Sequence, residues 1–213
     1  MTNFSKYVAL KEYIPSGDPK LSHFEIREEK INIDNNNNVL VKNEWISVDP
    51  YMRARMTERK NYKPPFELNK PMEGAAIGKV LESNTSTLSH GDIVKSDYGW
   101  RDQFVTSSND LIKINPIEVP IQTYLGPLGF TGHTAYIGLF RIGELKGNQT
   151  VLVSSAAGSV GSMVCQIAKI KGCRVIASTG SDEKVNWLKN ELGVDEAFNY
   201  NKIDNLVLHL KSL

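Results

Sequence analysis

Short apolar runs separated by Asn, Gly, Pro and Ser dominate the first half of the chain. FEIREEKI, VLVKNEWISV, AAIGKVLES, DIVKS and DQFVTSS are β-prone stretches of this kind, and each is predicted to be a strand. The run Asn35 to Asn38 is predicted to be a polar turn between the first two. The period changes after Asp49, at PYMRARM. Asp49 is expected to cap a short helix whose first residue is Pro50, a position where the missing N–H costs nothing.

From about residue 120 the spacing of apolar positions becomes helical, with FTGHTAYIGLFRIGEL as one helix ending near Gly143. Strands and helices then alternate. VLVSS leads to a helix running to Lys171, RVIAST to a helix from Asp182 to Leu192, and EAFNY to a helix from near Asp204. In that last helix Leu206, Val207, Leu210 and Leu213 recur at helical spacing. Strands alternating with helices of this length build a parallel sheet from βαβ units. The pattern therefore predicts an α/β protein with a β-rich domain over residues 1–118 and a parallel α/β domain over residues 119–213.

Composition narrows the classes of partner. The formal net charge is +1, which gives no electrostatic footing for nucleic acid or an anionic membrane surface. No apolar run approaches the roughly 20 residues that span a bilayer. The start, MTNFSKYVALKEY, lacks the apolar core of a secretory signal. The two cysteines, Cys165 and Cys173, form no stapling framework. The expectation is a cytoplasmic protein with free thiols and no nucleic-acid or membrane partner.

The candidate chemistry begins at VLVSSAAGSVGS, Val151 to Ser162. The dinucleotide fingerprint G-x-G-x-x-G is matched here at Gly158 and Gly161, with Ala156 in place of its first glycine, so that context has to decide. Val151 to Val153 suit a strand covered on both faces. After the loop Val160, Met163, Val164, Ile167 and Ala168 form one helical stripe expected to be buried. Gly172 ends the helix and RVIAS opens the next strand, which completes a βαβ unit. Gly158 would let the backbone approach a pyrophosphate, and Gly161 would let the helix pack closely on the sheet. Ala156 fits the first position only if it keeps a negative φ. A tight turn without a ligand would use the same glycines; the complete βαβ context favours a cofactor.

An Asp or Glu about 20 residues after the glycines would bind the ribose 2′-hydroxyl of NAD. The sequence has Ser178, Thr179, Gly180 and Ser181 there instead. Ser181 is a good helix N-cap, and Asp182 and Glu183 suit the first turn of that helix. Lys184 opposes the helix dipole, a mismatch that a bound phosphate would offset. Ser181 and Lys184 are therefore candidate cofactor-binding residues, and NADP is favoured over NAD. A merely solvated Lys184 is the alternative.

The combination of AAGSVGS, GSDEK and FNY, in that order, resembles the medium-chain dehydrogenase/reductase superfamily. More narrowly, it is similar to the zinc-free branch of leukotriene hydroxydehydrogenases, prostaglandin reductases and alkenal double-bond reductases. SVDPYMRARM and PMEGAAIGKVLES fit the same branch. The resemblance implies a GroES-like catalytic domain followed by an NADP-binding Rossmann domain, with a doubly wound parallel sheet. It also implies that Ala157, Gly158, Val160 and Gly161 hold the pyrophosphate, and that Lys184 and Tyr200 hold the 2′-phosphate. Tyr200 as a strand-end packing residue is the alternative.

Zinc dehydrogenases draw a histidine ligand from a G-H-E-G block, which corresponds here to Pro71, Met72, Glu73 and Gly74. Methionine is a poor Zn²⁺ ligand, residues 1–119 contain no cysteine, and the histidines show no ligand spacing. No metal site is expected, and Cys165 and Cys173 are read as packing residues. Without zinc, hydride transfer from NADPH to the activated C=C bond of an enone or alkenal is the implied reaction. The resemblance nominates Tyr51 as a pocket hydroxyl; a buried tyrosine with a satisfied hydroxyl is the other reading. It also places Thr131, in LGFTG, on the nicotinamide side. Arg53 and Arg55 are expected to be surface or interdomain cations.

Members of that family are typically well over 300 residues, so the resemblance implies a truncated chain. Only the first three Rossmann strands are expected, leaving VLVSS at an open apolar edge. The family's C-terminal return segment would also be missing. Three functions follow: an enone or alkenal reductase needing its remainder, a zeta-crystallin-type quinone reductase, or a non-catalytic NADP-binding remnant. Besides the small-molecule substrate, the expected partners are a second copy of the chain or a complementing C-terminal fragment.

Overall fold

The computed structural model describes residues 3–34, 38–115 and 119–213. The chain divides into two compact units, Met1–Leu125 and Gly126–Leu213.

In the first unit, strands β1 (Asn3–Leu10) and β2 (Phe24–Ile31) form an antiparallel pair. A five-stranded antiparallel sheet has the order β6-β3-β4-β5-β7. Its strands are β3 (Asn38–Ile46), β4 (Ala76–Ser83), β5 (Ile93–Ser96), β6 (Gln103–Ser107) and β7 (Ile112–Ile114). Alternation along the strands turns Val39, Val41, Val80, Val94 and Phe104 into one cluster, the core of this sheet. The turn expected at Asn35 to Asn38 lies outside the described residues, apart from Asn38, which opens β3. Strand β1 was not among the predicted runs. Of its buried residues only Leu10 is large and wholly apolar, and Ser5, Tyr7 and Ala9, which alternate along it, are small or carry polar atoms, so the apolar alternation is weak.

Helix α1 (Tyr51–Arg55) follows β3. The cap differs from the expectation by one place: Pro50, not Asp49, is the N-cap residue, and the Asp49 carboxylate accepts the Ser47 hydroxyl at 2.7 Å. Met52 and Met56 on this helix join Leu10, Ile14, Phe66 and Met72 in a second cluster. Arg55, expected to be a surface or interdomain cation, is instead only 4% exposed and engaged by residues of its own unit. Its Nε donates to the Pro64 carbonyl, its Nη2 to Glu73 at 2.8 Å, and its guanidinium lies over the Phe66 ring. Arg53 stays at the surface and donates to the Gly17 carbonyl.

The second unit opens with α2 (Phe130–Tyr136), continued by a π-helical turn Ile137–Ile142 that Gly143 ends. Then come β8 (Thr150–Val153), α3 (Ser159–Ile170), β9 (Arg174–Thr179), α4 (Asp182–Asn190), β10 (Glu196–Asn199) and α5 (Leu206–Ser212). The three strands are parallel in the order β10-β9-β8, which is the 3-2-1 half of a doubly wound sheet. Cys165, Ala168, Val175, Ala177 and Leu188 centre its core. Both cysteines are free and buried. The stripe expected on α3 is shifted: Cys165 and Ala168 are fully buried, whereas Val160, Met163, Val164 and Ile167 are half-buried. Strand β8 is at the sheet edge and is covered on one face only, for Leu152 is 51% exposed. No helix among the described residues is long and apolar enough to cross a membrane.

Candidate functional site

The chain leaves β8 through a turn at Ser154 to Gly158. Ala156 keeps a negative φ, and the left-handed conformation falls on Ser155 at φ 48°. That geometry directs the Ser155 carbonyl into the loop, where it accepts the Gly158 N–H at 2.8 Å. A Cβ on Gly161 would strike the same carbonyl and come 2.8 Å from the Ala156 Cα. Gly161 is therefore the residue that lets α3 start against the turn. The Ala156 N–H donates to the Ser178 carbonyl at 3.0 Å, which ties the turn to the end of β9. Gly158 is the N-cap of α3 and has no side-chain acceptor, so the first N–H groups of α3, those of Ser159, Val160 and Gly161, are left without a side-chain cap. Ala157 is half-buried beside them.

Strand β9 ends at Thr179, Gly180 follows it, and Ser181 caps α4 by accepting the Lys184 N–H at 3.4 Å. Lys184 is exposed. Tyr200 follows β10, the neighbouring parallel strand, and its hydroxyl lies 2.8 Å from where a Cβ on Gly180 would be. Loops after adjacent parallel strands emerge at one edge of the sheet, so the glycine turn, Gly180 to Lys184, and Tyr200 come together. Sequence reasoning did not anticipate what holds this arrangement. Asn201 Nδ2 donates to the Gly180 carbonyl at 2.9 Å, and Asn199 Nδ2 donates to Asp182 at 2.9 Å. Lys202 pairs with the other Asp182 oxygen. With Lys202 and Asn199 as donors, the Asp182 carboxyl is held below its usual range. Thr131 is buried in α2, which packs on α3, and its hydroxyl donates to the Gly126 carbonyl at 2.9 Å.

Tyr51 belongs to the first unit, at the start of α1. It packs beside Met52, Phe66 and Met72, with Lys63 Nζ 5.4 Å from its ring centre. Burial pushes its phenol above the ordinary value, Asp49 and Asp97 add to this, and Arg55 opposes it. A cavity of about 730 Å³ in the same unit is bordered by Arg55, Phe66, Glu73, Asp97, Tyr98 and Arg101. None of the residues nominated from the sequence lines it.

The residues do not fit a zinc ion. Met72 is 1% exposed within an apolar cluster, and Glu73 is engaged by Arg55. Cys165 is buried in the core of the second unit, and Cys173 donates its thiol to the Lys146 carbonyl. Among the described residues no three or more His, Cys, Asp or Glu come together to hold a metal.

Two family models match the chain. One, described as the N-terminal domain of oxidoreductase, matches residues 6–114, and one described as zinc-binding dehydrogenase matches residues 159–213. An NADP(+)-dependent 2-alkenal reductase of Nicotiana tabacum is 42% identical over 212 residues, covering 97% of this chain and 62% of the relative. Prostaglandin reductase 1 of Rattus norvegicus is 42% identical over 205 residues, covering 95% of this chain and 60% of the relative. Among solved structures, CurA of Vibrio vulnificus in complex with NADPH superposes with a TM-score of 0.86 at 32% identity, covering 97% of this chain and 61% of that one. The chain thus spans 60–62% of the length of these relatives.

Proposed function

We propose, from the premise that the chain belongs to the medium-chain dehydrogenase/reductase superfamily, that it acts as an NADPH-dependent oxidoreductase on the activated C=C bond of α,β-unsaturated carbonyl compounds. The observation that carries this reading is the convergence of the glycine turn, Gly180 to Lys184 and Tyr200 at one edge of the parallel sheet. The uncapped N–H groups of Ser159, Val160 and Gly161 suit a pyrophosphate at a helix N-terminus. Ala157 and Gly158 give it a close backbone approach. Ser181, Lys184 and the Tyr200 hydroxyl would hold the 2′-phosphate, since no carboxylate closes β9 for a ribose hydroxyl. The NADP-dependent tobacco relative and the NADPH-bound CurA neighbour support the same cofactor.

When bound, NADPH supplies the hydride. The chain's part is to hold the substrate carbonyl so that negative charge developing on its oxygen meets a donor. Tyr51 takes that part: a phenol is protonated through the neutral range and so can donate a hydrogen bond, and burial here pushes its pKa further up. Thr131, fixed by Gly126, contributes to the nicotinamide side by holding the start of α2.

The test is NADPH oxidation by the purified chain with an alkenal, an enone and a quinone as acceptors, repeated with Tyr51→Phe. Alkenal- and enone-dependent oxidation that falls in Tyr51→Phe supports the proposal. Oxidation with the quinone alone would replace the substrate class. NADPH binding without turnover of any acceptor would restrict the chain to holding the cofactor.

A further inference from the structure

One residue after Ser181, a carboxylate has a donor on each of its oxygens. Asp182 directly follows the N-cap Ser181, and its Oδ1 accepts from Asn199 Nδ2 at 2.9 Å while its Oδ2 is taken by Lys202. Asn199 also accepts the Asn201 N–H at 3.1 Å, and Asn201 in turn holds the Gly180 carbonyl. The short 3-10 turn Tyr200–Lys202 and the residue before it are thereby fastened to residues 180 to 182 at three points, and Tyr200 sits over Gly180.

We infer that Lys202 is a specificity-determining residue for NADPH over NADH, acting through Asp182 rather than on the cofactor itself. The inference rests on the reading of this sheet edge as the NADP site. A carboxylate at the end of the second strand ordinarily accepts the ribose 2′-hydroxyl and repels a 2′-phosphate. Asp182 directly follows Ser181, so an unneutralised charge there would oppose a phosphate held by Ser181. Lys202 offsets its charge by pairing with Oδ2. Both partners are exposed, with side chains 66% and 58% accessible, so the effect is a screened one that grows as salt is lowered.

The experiment is a fluorescence titration of the full chain with NADPH and with NADH at low and moderate salt. The proteins are wild type, Lys202→Met, Lys202→Arg, Asp182→Asn and the Lys202→Met/Asp182→Asn pair. Lys202→Met is expected to weaken NADPH roughly five-fold at low salt while NADH binds as well as before or better. Lys202→Arg should keep the wild-type preference, and Asp182→Asn in the Lys202→Met background should restore NADPH binding. The restored double variant also shows that the single variant's loss is not a folding defect. Loss that persists in the double variant would mean that Lys202 meets the phosphate directly and would overturn the inference. So would equal loss of NADPH and NADH, or no change at all. A wild-type chain that binds neither nucleotide, or does not prefer NADPH, would instead overturn the cofactor reading beneath it.

Discussion

The Ser155 carbonyl lies against Gly161 so closely that the glycine hydrogen is the largest group the site admits. The contact exists because Ser155 takes the left-handed backbone that the first position of the fingerprint would otherwise give to glycine. Ala156 can then be alanine at no cost, and α3 starts directly above the turn. Gly161→Ala is expected to destabilise the second unit by about 1–3 kcal/mol, because backbone atoms rather than a flexible side chain must move. It should also weaken NADPH binding. Thermal unfolding and nucleotide titration of the variant check both, and an unchanged variant would show that the turn relaxes freely.

Gly180→Ala tests a softer contact. The atom in the way is the Tyr200 hydroxyl, at the end of a side chain 49% exposed and free to swing aside. Stability should change little, while the preference for NADPH over NADH should fall several-fold as Tyr200 leaves its place. An unaltered preference would assign Tyr200 to packing alone.

Arg55 and Glu73 are predicted to respond unequally. Arg55→Met removes the hydrogen bonds to Pro64 and Glu73 and the contact with Phe66 from a buried position, with an expected loss of about 2–4 kcal/mol. Glu73→Gln should cost below about 1 kcal/mol, because that side chain is 62% exposed and the amide still accepts from Arg55. Denaturant unfolding of the two variants decides this. Equal losses would mean that the ion pair, not the burial of Arg55, dominates.

Cys165 gives the pH prediction. Burial pushes its thiol up to about 11, above its ordinary value. The unfolded chain then loses the proton first as pH rises, so folding is favoured fully below about pH 9 and the advantage disappears towards about pH 11. Stability should fall by about 2–3 kcal/mol across that window, and the fall should be absent in Cys165→Ala once its own cavity cost is subtracted. The native thiol should also resist thiol reagents at pH 8 until the protein is unfolded.

Local features of the site could be read from the chain, and features made by strand pairing could not. Gly158 and Gly161, the Ser181 cap and Lys184 declare themselves through spacing within a few residues. The parallel sheet followed from alternating strand and helix patterns, and its doubly wound order from the family resemblance. The clamp of Asn199, Asn201 and Lys202 on residues 180 to 182 depends on the parallel register that places Asn199 opposite Thr179. No local pattern encodes that register. Arg55 was misjudged for the same reason, since Phe66, Pro64 and Glu73 bury it from segments further along the chain. Leu152 shows the converse: an apolar strand sequence suits two covered faces, and the described residues cover one.

The most direct measurement of the central claim is titration of the 213-residue chain with NADPH and NADH, wild type against Lys184→Ala. The account predicts that the wild type binds NADPH more tightly. It predicts that Lys184→Ala loses about ten-fold or more in NADPH affinity, the worth of a charge-assisted phosphate contact, while NADH is almost unchanged. Equal losses for the two nucleotides, or equal affinities in the wild type, would contradict it.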